Sequence, residues 1–193
     1  MRLRSSLSVL LLTATAVAGT ALPASAAPAG RSLLPLAASS AERVRIADKV
    51  AAAKFGTTQP IDDPAREQVV LADVAAKSPA LGLDPAETVR FFRDQIEANK
   101  VVQRGLYALW TAHPEQAPTE RPDLPTEVRP VIDRITGELL AELSATRQSR
   151  AGRTCAPRLV VADRLTALQQ RLDTLHRRAL TQSLHSTCTP DGK

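Results

Sequence analysis

Aromatic side chains are scarce in this 193-residue sequence. Phe, Tyr and Trp together make up 3% of it, with one Trp and one Tyr. Single-stranded nucleic acid is held on aromatic stacking platforms beside a clustered basic face. Here the platforms are missing and acids interleave with bases. Nucleic-acid binding is therefore excluded as the main role, despite a formal charge of +5. Strand signals are equally scarce: no Asn-Gly hairpin turn occurs and period-2 alternation is rare. The three histidines, His113, His176 and His185, lack metal-ligand spacing. No Gly-rich phosphate loop is present, and no Ser/His/acid set carries a nucleophile's signature. An enzyme built on this chain would work without metal, nucleotide or covalent intermediate. It would hold an anion with Arg and Lys and polarise it with neutral donors.

Only two cysteines occur, Cys155 and Cys188. The beginning of the chain gives the compartment. Met1–Arg4 is basic, Ser5–Thr20 is mostly apolar or small, and Ala24-Ser25-Ala26 fits a small-x-small cleavage pattern. This reads as a secretory signal peptide rather than a membrane span, because the apolar run is short and no stop-transfer segment follows. A cut after Ala26 removes Arg2 and Arg4, leaves no membrane span, and lowers the net charge from +5 to +3. Residues 27–38, rich in Ala, Pro and Gly, are expected to be disordered. Residues 39–193 are enough for one domain. In an exported protein two cysteines suggest one structural disulfide. A redox or metal pair is the other reading, but the spacing is not CxxC and no further ligands cluster nearby.

The 3.6-residue period dominates and predicts an all-α domain of long helices. Helix one starts at the capping box Ser39-Ser40-Ala41-Glu42, turns Val44, Ala47, Val50 and Ala51 inward, and stops at Gly56. Asp63-Pro64 and Asp84-Pro85 each supply an N-cap and a first-position proline, starting helices that run to about Lys77 and Ala112. A proline-rich extended linker covers 114–125. Helix four runs from near Pro130 to about Ser149, and a last helical stretch covers roughly 156–184. That stretch, if straight, spans roughly 40 Å, whereas bridged Cα atoms lie about 5.5–6 Å apart. Either it breaks into two helices that double back, or the cysteines do not pair with each other. The break is favoured, somewhere in 168–178, though no Gly or Pro marks it.

Arg43 and Lys54 are eleven residues apart on helix one, within about 20° of three whole turns and about 16 Å apart. They share one face and can converge on a small anion between them. Spacing alone favours the plainer reading, two long side chains snorkelling at the edge of a core. Asp63 and Arg66 read as an N-cap with a local ion pair, or as a carboxylate orienting Arg66 for a ligand. Asn99 and Gln103 are i,i+4 on one face of helix three, neutral and insensitive to pH, or simply solvent-exposed amides.

Taken in order, the segments AERVRIADKVAAAKF, IDDPAREQ and FFRDQIEANKVVQRGLYALW, then R-x-x-I-D at Arg129–Asp133 and two terminal cysteines, resemble the secreted (gamma) subclass of the all-helical chorismate mutases. The likeness runs from about Ala41 to Cys188. It implies a type II-like helical fold closed by a disulfide near its C-terminus. It implies conversion of chorismate to prephenate, a shikimate-pathway step toward aromatic amino acids, with no cofactor. Arg43, Arg66 and Arg129 would bind the substrate's carboxylates. Lys54 would bind a carboxylate and the ether oxygen, and Gln103 would donate the second hydrogen bond to that oxygen. Asp63 and Asn99 would contact the substrate hydroxyl or position neighbours. The resemblance also leaves room for a homodimer.

Three departures stand out. Gln103 occupies a place where the subclass can have glutamate. Val70 stands where a polar group such as Gln is expected. Arg129 fits only after a one-residue shift and directly precedes Pro130, which places it outside the helix proper. These departures keep a rival reading open: an exported, non-catalytic helical binding protein of the same fold. A peripheral cell-surface bundle held by its basic surplus is a further alternative.

Overall fold

The computed structural model describes residues 30–188. Among these, no strand forms, as the 3.6-residue period predicts. The α-helices are α1 (Leu34–Lys54), α2 (Pro64–Lys77), α3 (Pro85–Ala112), α4 (Arg129–Ala145), α5 (Arg147–Ala151), α6 (Cys155–Gln169) and α7 (Thr174–Ser183).

Local chemistry sets several boundaries. Asp63 accepts from the Arg66 N–H at 3.0 Å, and Asp84 from the Glu87 N–H at 2.8 Å, each just before a proline that has no N–H to satisfy. At the other end of α1, Gly56 takes φ +70°, a conformation cheap only for glycine, and turns the chain away.

Packing sets the rest. Helix α1 starts at Leu34, five residues before the expected start, because Leu33, Leu36 and Ala37 are buried and Pro35 suits a first turn. The expectation of disorder across 27–38 is corrected from Leu34 onward; residues 27–29 and the leader 1–26 lie outside the described residues. The expected cap residue Ser39 lies inside α1, so no capping box forms there; its neighbour Ser40 is buried and accepts from Gln95 Nε2 at 3.1 Å, and Glu42 pairs with Arg134. Phe91 and Phe92 of α3 meet edge-on at 5.5 Å in a core shared by α1, α2, α3 and α4. On another face of α3, Ala98 and Val102 pack with Val44 and Ala47 of α1 and Ala179 of α7. Gly105 allows α7 this close: a Cβ there would lie 2.7 Å from the Leu175 methyls.

Helix four stops at Ala145 rather than Ser149. Thr146 interrupts it, and buried Arg150 of α5 reaches back to the carbonyls of Leu143 and Thr187 at 3.2 and 3.3 Å. The expected linker is partly helical. A 3-10 turn covers Pro114–Gln116, and a π-helical turn, Leu124–Val128, leads straight into α4. Arg129 is consequently the first residue of α4, with φ −59° and ψ −43°, not outside it. The last stretch breaks at 170–173, where Arg171 adopts φ 51°, and α7 folds back along α6. That break brings Cys155 and Cys188 into a disulfide with Cα atoms 5.8 Å apart.

Candidate active site

The four helices α1 to α4 leave a cavity of about 410 Å³ between them, within the range of small-molecule sites. All seven residues singled out by sequence line it: Arg43 and Lys54 from α1, Asp63 and Arg66 from the start of α2, Asn99 and Gln103 from α3, and Arg129 from α4. The rest of the wall is largely apolar, with Val50, Val70, Ile96, Leu124, Val128 and Ile132. Val70 is thus an apolar wall residue where a polar contact was expected.

The charge balance is unusual. Arg43 is buried at 5% exposure, and its Nη1 donates to Thr136 Oγ1 at 3.1 Å, but its buried Nε has no partner. Burial lowers its pKa to about 10, with Asp133 offsetting part of the cost, so it remains a cation at neutral pH. Lys54 is half-buried and donates to the Pro60 carbonyl at 2.8 Å. Burial holds its ammonium below the usual lysine range, while Asp63, Asp62 and Glu67 push the other way. Among the described residues, none of Arg43, Lys54, Arg66 and Arg129 forms an ion pair; Lys100, also in the cavity wall, and Arg104 beside it are paired. Four cations without ion pairs around a partly open, mostly apolar pocket suit a small molecule with more than one anionic group.

Asp63 contacts the Arg66 backbone N–H, not its guanidinium, so the cap reading holds and the local ion pair does not form. Gln103 is buried and donates from Nε2 to Asn99 Oδ1 at 2.7 Å, while Asn99 Nδ2 donates to the Arg43 carbonyl at 3.4 Å. The amides are therefore not solvent-exposed.

Glu67 and Lys100 also line the cavity and were not singled out by sequence. Lys100 Nζ lies 2.6 Å from Glu97, 3.2 Å from Glu67 and 3.3 Å from Asp62. Burial opposes its charge, yet these carboxylates outweigh that and raise its pKa. The helical period carried a faint signal, since Glu67 is i,i+4 from Asp63 on α2.

Residues 36–104 match the family described as chorismate mutase type II. The chain is 35% identical over 173 residues to a secreted chorismate mutase of Mycolicibacterium smegmatis (strain ATCC 700084 / mc(2)155), covering 90% of this chain and 95% of that one. The chain belongs to the chorismate mutase family. A secreted chorismate mutase of Mycobacterium tuberculosis (strain ATCC 25618 / H37Rv) is 33% identical over 156 residues, 81% of this chain and 78% of that protein. Among solved structures, a chorismate mutase from Burkholderia phymatum superposes with a TM-score of 0.77 at 34% identity, covering 81% of this chain and 96% of that one. The segment matched to the type II chorismate mutases contains six of the seven cavity residues singled out by sequence; Arg129 lies beyond its end.

Proposed function

We propose that the protein converts chorismate to prephenate, with the cavity between α1 and α4 as its active site. The observation that carries this reading is the buried guanidinium of Arg43, which forms no salt bridge and faces a space that Lys54, Arg66 and Arg129 also line without ion pairs. Chorismate is a dianion. The three arginines hold its carboxylates and select the compact conformer in which the reacting ends approach, an effect of orientation. The rearrangement is one pericyclic (Claisen) step: the ether C–O bond breaks as a C–C bond forms, with no bond to the enzyme. Negative charge grows on the ether oxygen, and Lys54 and Gln103 stabilise it as fixed donors that need no reorganisation. Asp63 and Asn99 position the substrate hydroxyl or its neighbours. All seven residues come from one chain, so a homodimer is compatible with this site but not required by it.

Export completes the reading. The leader 1–26 is cut near Ala26, and the mature chain works outside the cytoplasm. The relatives from both mycobacteria carry the word secreted in their names, and no described helix is long and apolar enough to cross a membrane.

Chorismate loss, followed by absorbance with prephenate identified as product, tests the function. A rate enhancement on the order of 10⁶-fold, about 8 kcal/mol, is expected of such an enzyme. Lys54→Ala should lose on the order of 3 kcal/mol, as for one oxyanion donor. Near-wild-type kcat/KM in Lys54→Ala would refute the site. A folded, oxidised protein that leaves chorismate at the uncatalysed rate would favour the non-catalytic binder, with Val70 the first suspect.

A further inference from the structure

Asp62 stands one residue before the α2 cap, is not among the cavity-lining residues, and takes no part in the proposed chemistry. Its carboxylate is nevertheless held from two sides. Both oxygens accept from Arg104 Nη2, at 2.7 and 2.8 Å, and Lys100 Nζ lies 3.3 Å from Oδ1. The bonds from Arg104 and then Lys100 keep this carboxyl below the usual range. Two residues upstream, the Pro60 carbonyl accepts from Lys54 Nζ at 2.8 Å. The loop between α1 and α2 is thus tied to Lys54 at one point and to α3 at another. Arg104 directly follows Gln103, and Lys100 directly follows Asn99, so the tie bears on the turn of α3 that carries the neutral donors.

We infer that Asp62 is a positioning residue: by clamping the α1–α2 loop to Arg104 and Lys100, it sets the separation between the Lys54 ammonium and the Gln103 amide. The inference rests on the proposed role of those two donors at the ether oxygen. The clamp contributes register rather than stability. The Asp62–Arg104 pair is about half exposed, at 55% and 49%, and exposed pairs stabilise a fold little, while Lys100, at 9%, keeps Glu97 and Glu67 as partners without Asp62. Misplacing a reacting group by about 1 Å, however, costs up to about 10²-fold in rate. Arg43, Arg66 and Arg129 stand outside the clamped loop, within α1, α2 and α4, so loosening the clamp should leave substrate binding largely intact.

The loop carries its own reporter. Phe55, its first residue, packs edge-on against Trp110 at 5.2 Å and Tyr107 at 5.1 Å, and Trp110 is the single tryptophan of the chain. A loosened loop should open Trp110 to acrylamide.

The experiment compares the purified, oxidised protein with Asp62→Asn, Arg104→Gln, the double variant and Asp62→Glu, measuring kcat and KM for chorismate and acrylamide quenching of Trp110. Each single loss should lower kcat about tenfold, leave KM within about threefold and increase quenching. The double variant should be no worse than either single, because both remove one interaction. Asp62→Glu should recover part of kcat. Unchanged kcat and quenching in Asp62→Asn, or losses that multiply in the double variant, would overturn the clamp while leaving the mutase reading intact. An inactive wild type would overturn the mutase reading itself, and with it the clamp's part in catalysis.

Discussion

Asn99 Oδ1 accepts from Gln103 Nε2 at 2.7 Å, and the direction of that bond is set one residue further away. Asn99 Nδ2 donates to the Arg43 backbone carbonyl at 3.4 Å, and a carbonyl can only accept. Asn99 must then turn its oxygen to Gln103, and Gln103 must answer with its NH2. One N–H of Gln103 stays free for a ligand, and its buried Oε1 has no protein partner.

A glutamate at this position would face the Asn99 oxygen and would donate only when protonated. Burial and that oxygen both favour the protonated form. Gln103→Glu should therefore be active at low pH and lose kcat as pH rises through its carboxyl pKa. The glutamine protein should hold a flat kcat across about pH 5 to 8, because an amide does not titrate there. The pH profiles of kcat decide this. An acid optimum in the wild type, following a single ionisation below about pH 6, would contradict the assignment of Gln103.

Lys54 gives the alkaline counterpart. Burial holds its ammonium below the usual lysine range, and the proposed role needs the cation. The sign follows: kcat/KM should fall as pH rises through a pKa below the ordinary value of about 10.4. Lys54→Arg keeps its charge throughout, so that limb should move to higher pH even as the rate drops. An identical alkaline limb in Lys54→Arg would assign the ionisation elsewhere.

What the sequence made legible was local. Asp63-Pro64 and Asp84-Pro85 mark helix starts because a cap and a missing N–H act within one turn. The start of α1 was missed by five residues, since what extends it is the burial of Leu33 and Leu36, a tertiary effect. The break at 170–173 carries no Gly or Pro and was inferred only from the need to join Cys155 to Cys188. At the site, helical arithmetic put Arg43 and Lys54 on one face, yet spacing alone preferred snorkelling cations. Only the packing of four helices leaves them unpaired around a cavity. Sequence alone puts Arg129 outside the helix, because a residue before proline usually avoids the helical region; the π turn at 124–128 delivers it there already wound. Lys100 and Glu67 take their meaning from α2 against α3, which no single segment contains.

Arg43 tests whether the site trades stability for function. A buried cation without a carboxylate partner costs the fold, and an apolar replacement of similar reach is often neutral or stabilising. Thr136 Oγ1 would keep its own bond to the Ile132 carbonyl at 2.8 Å. Arg43→Met should therefore retain or raise Tm while kcat/KM falls by about 10²-fold or more. Thermal melts and steady-state rates on one preparation suffice. A Tm loss of many degrees would mean that Arg43 serves the core rather than the ligand.

His176 of α7 pins the helix that carries both Arg43 and Lys54. Its Nε2 meets Asp48 of α1 at 2.8 Å and its Nδ1 meets both oxygens of Asp173 at 2.9 Å. With both ring nitrogens facing carboxylates, both donate, and the ring is an imidazolium. The bond to Asp48 first, then that to Asp173, raise its pKa to about 9 against the opposing effect of burial. A folded-state value above the unfolded value of about 6.5 fixes the sign. The stabilisation is complete below about pH 6.5 and disappears as pH rises through about 9. The two carboxylates are half or more exposed, so solvent screening brings the contribution to about 2 kcal/mol, or roughly 4–8 °C in Tm for a domain of this size. His176→Gln should melt lower by about that amount near pH 6, converge with the wild type near pH 10, and lose less Tm between them. If the variant keeps the wild-type slope of Tm against pH, the imidazolium between Asp48 and Asp173 is not what holds α7 to α1.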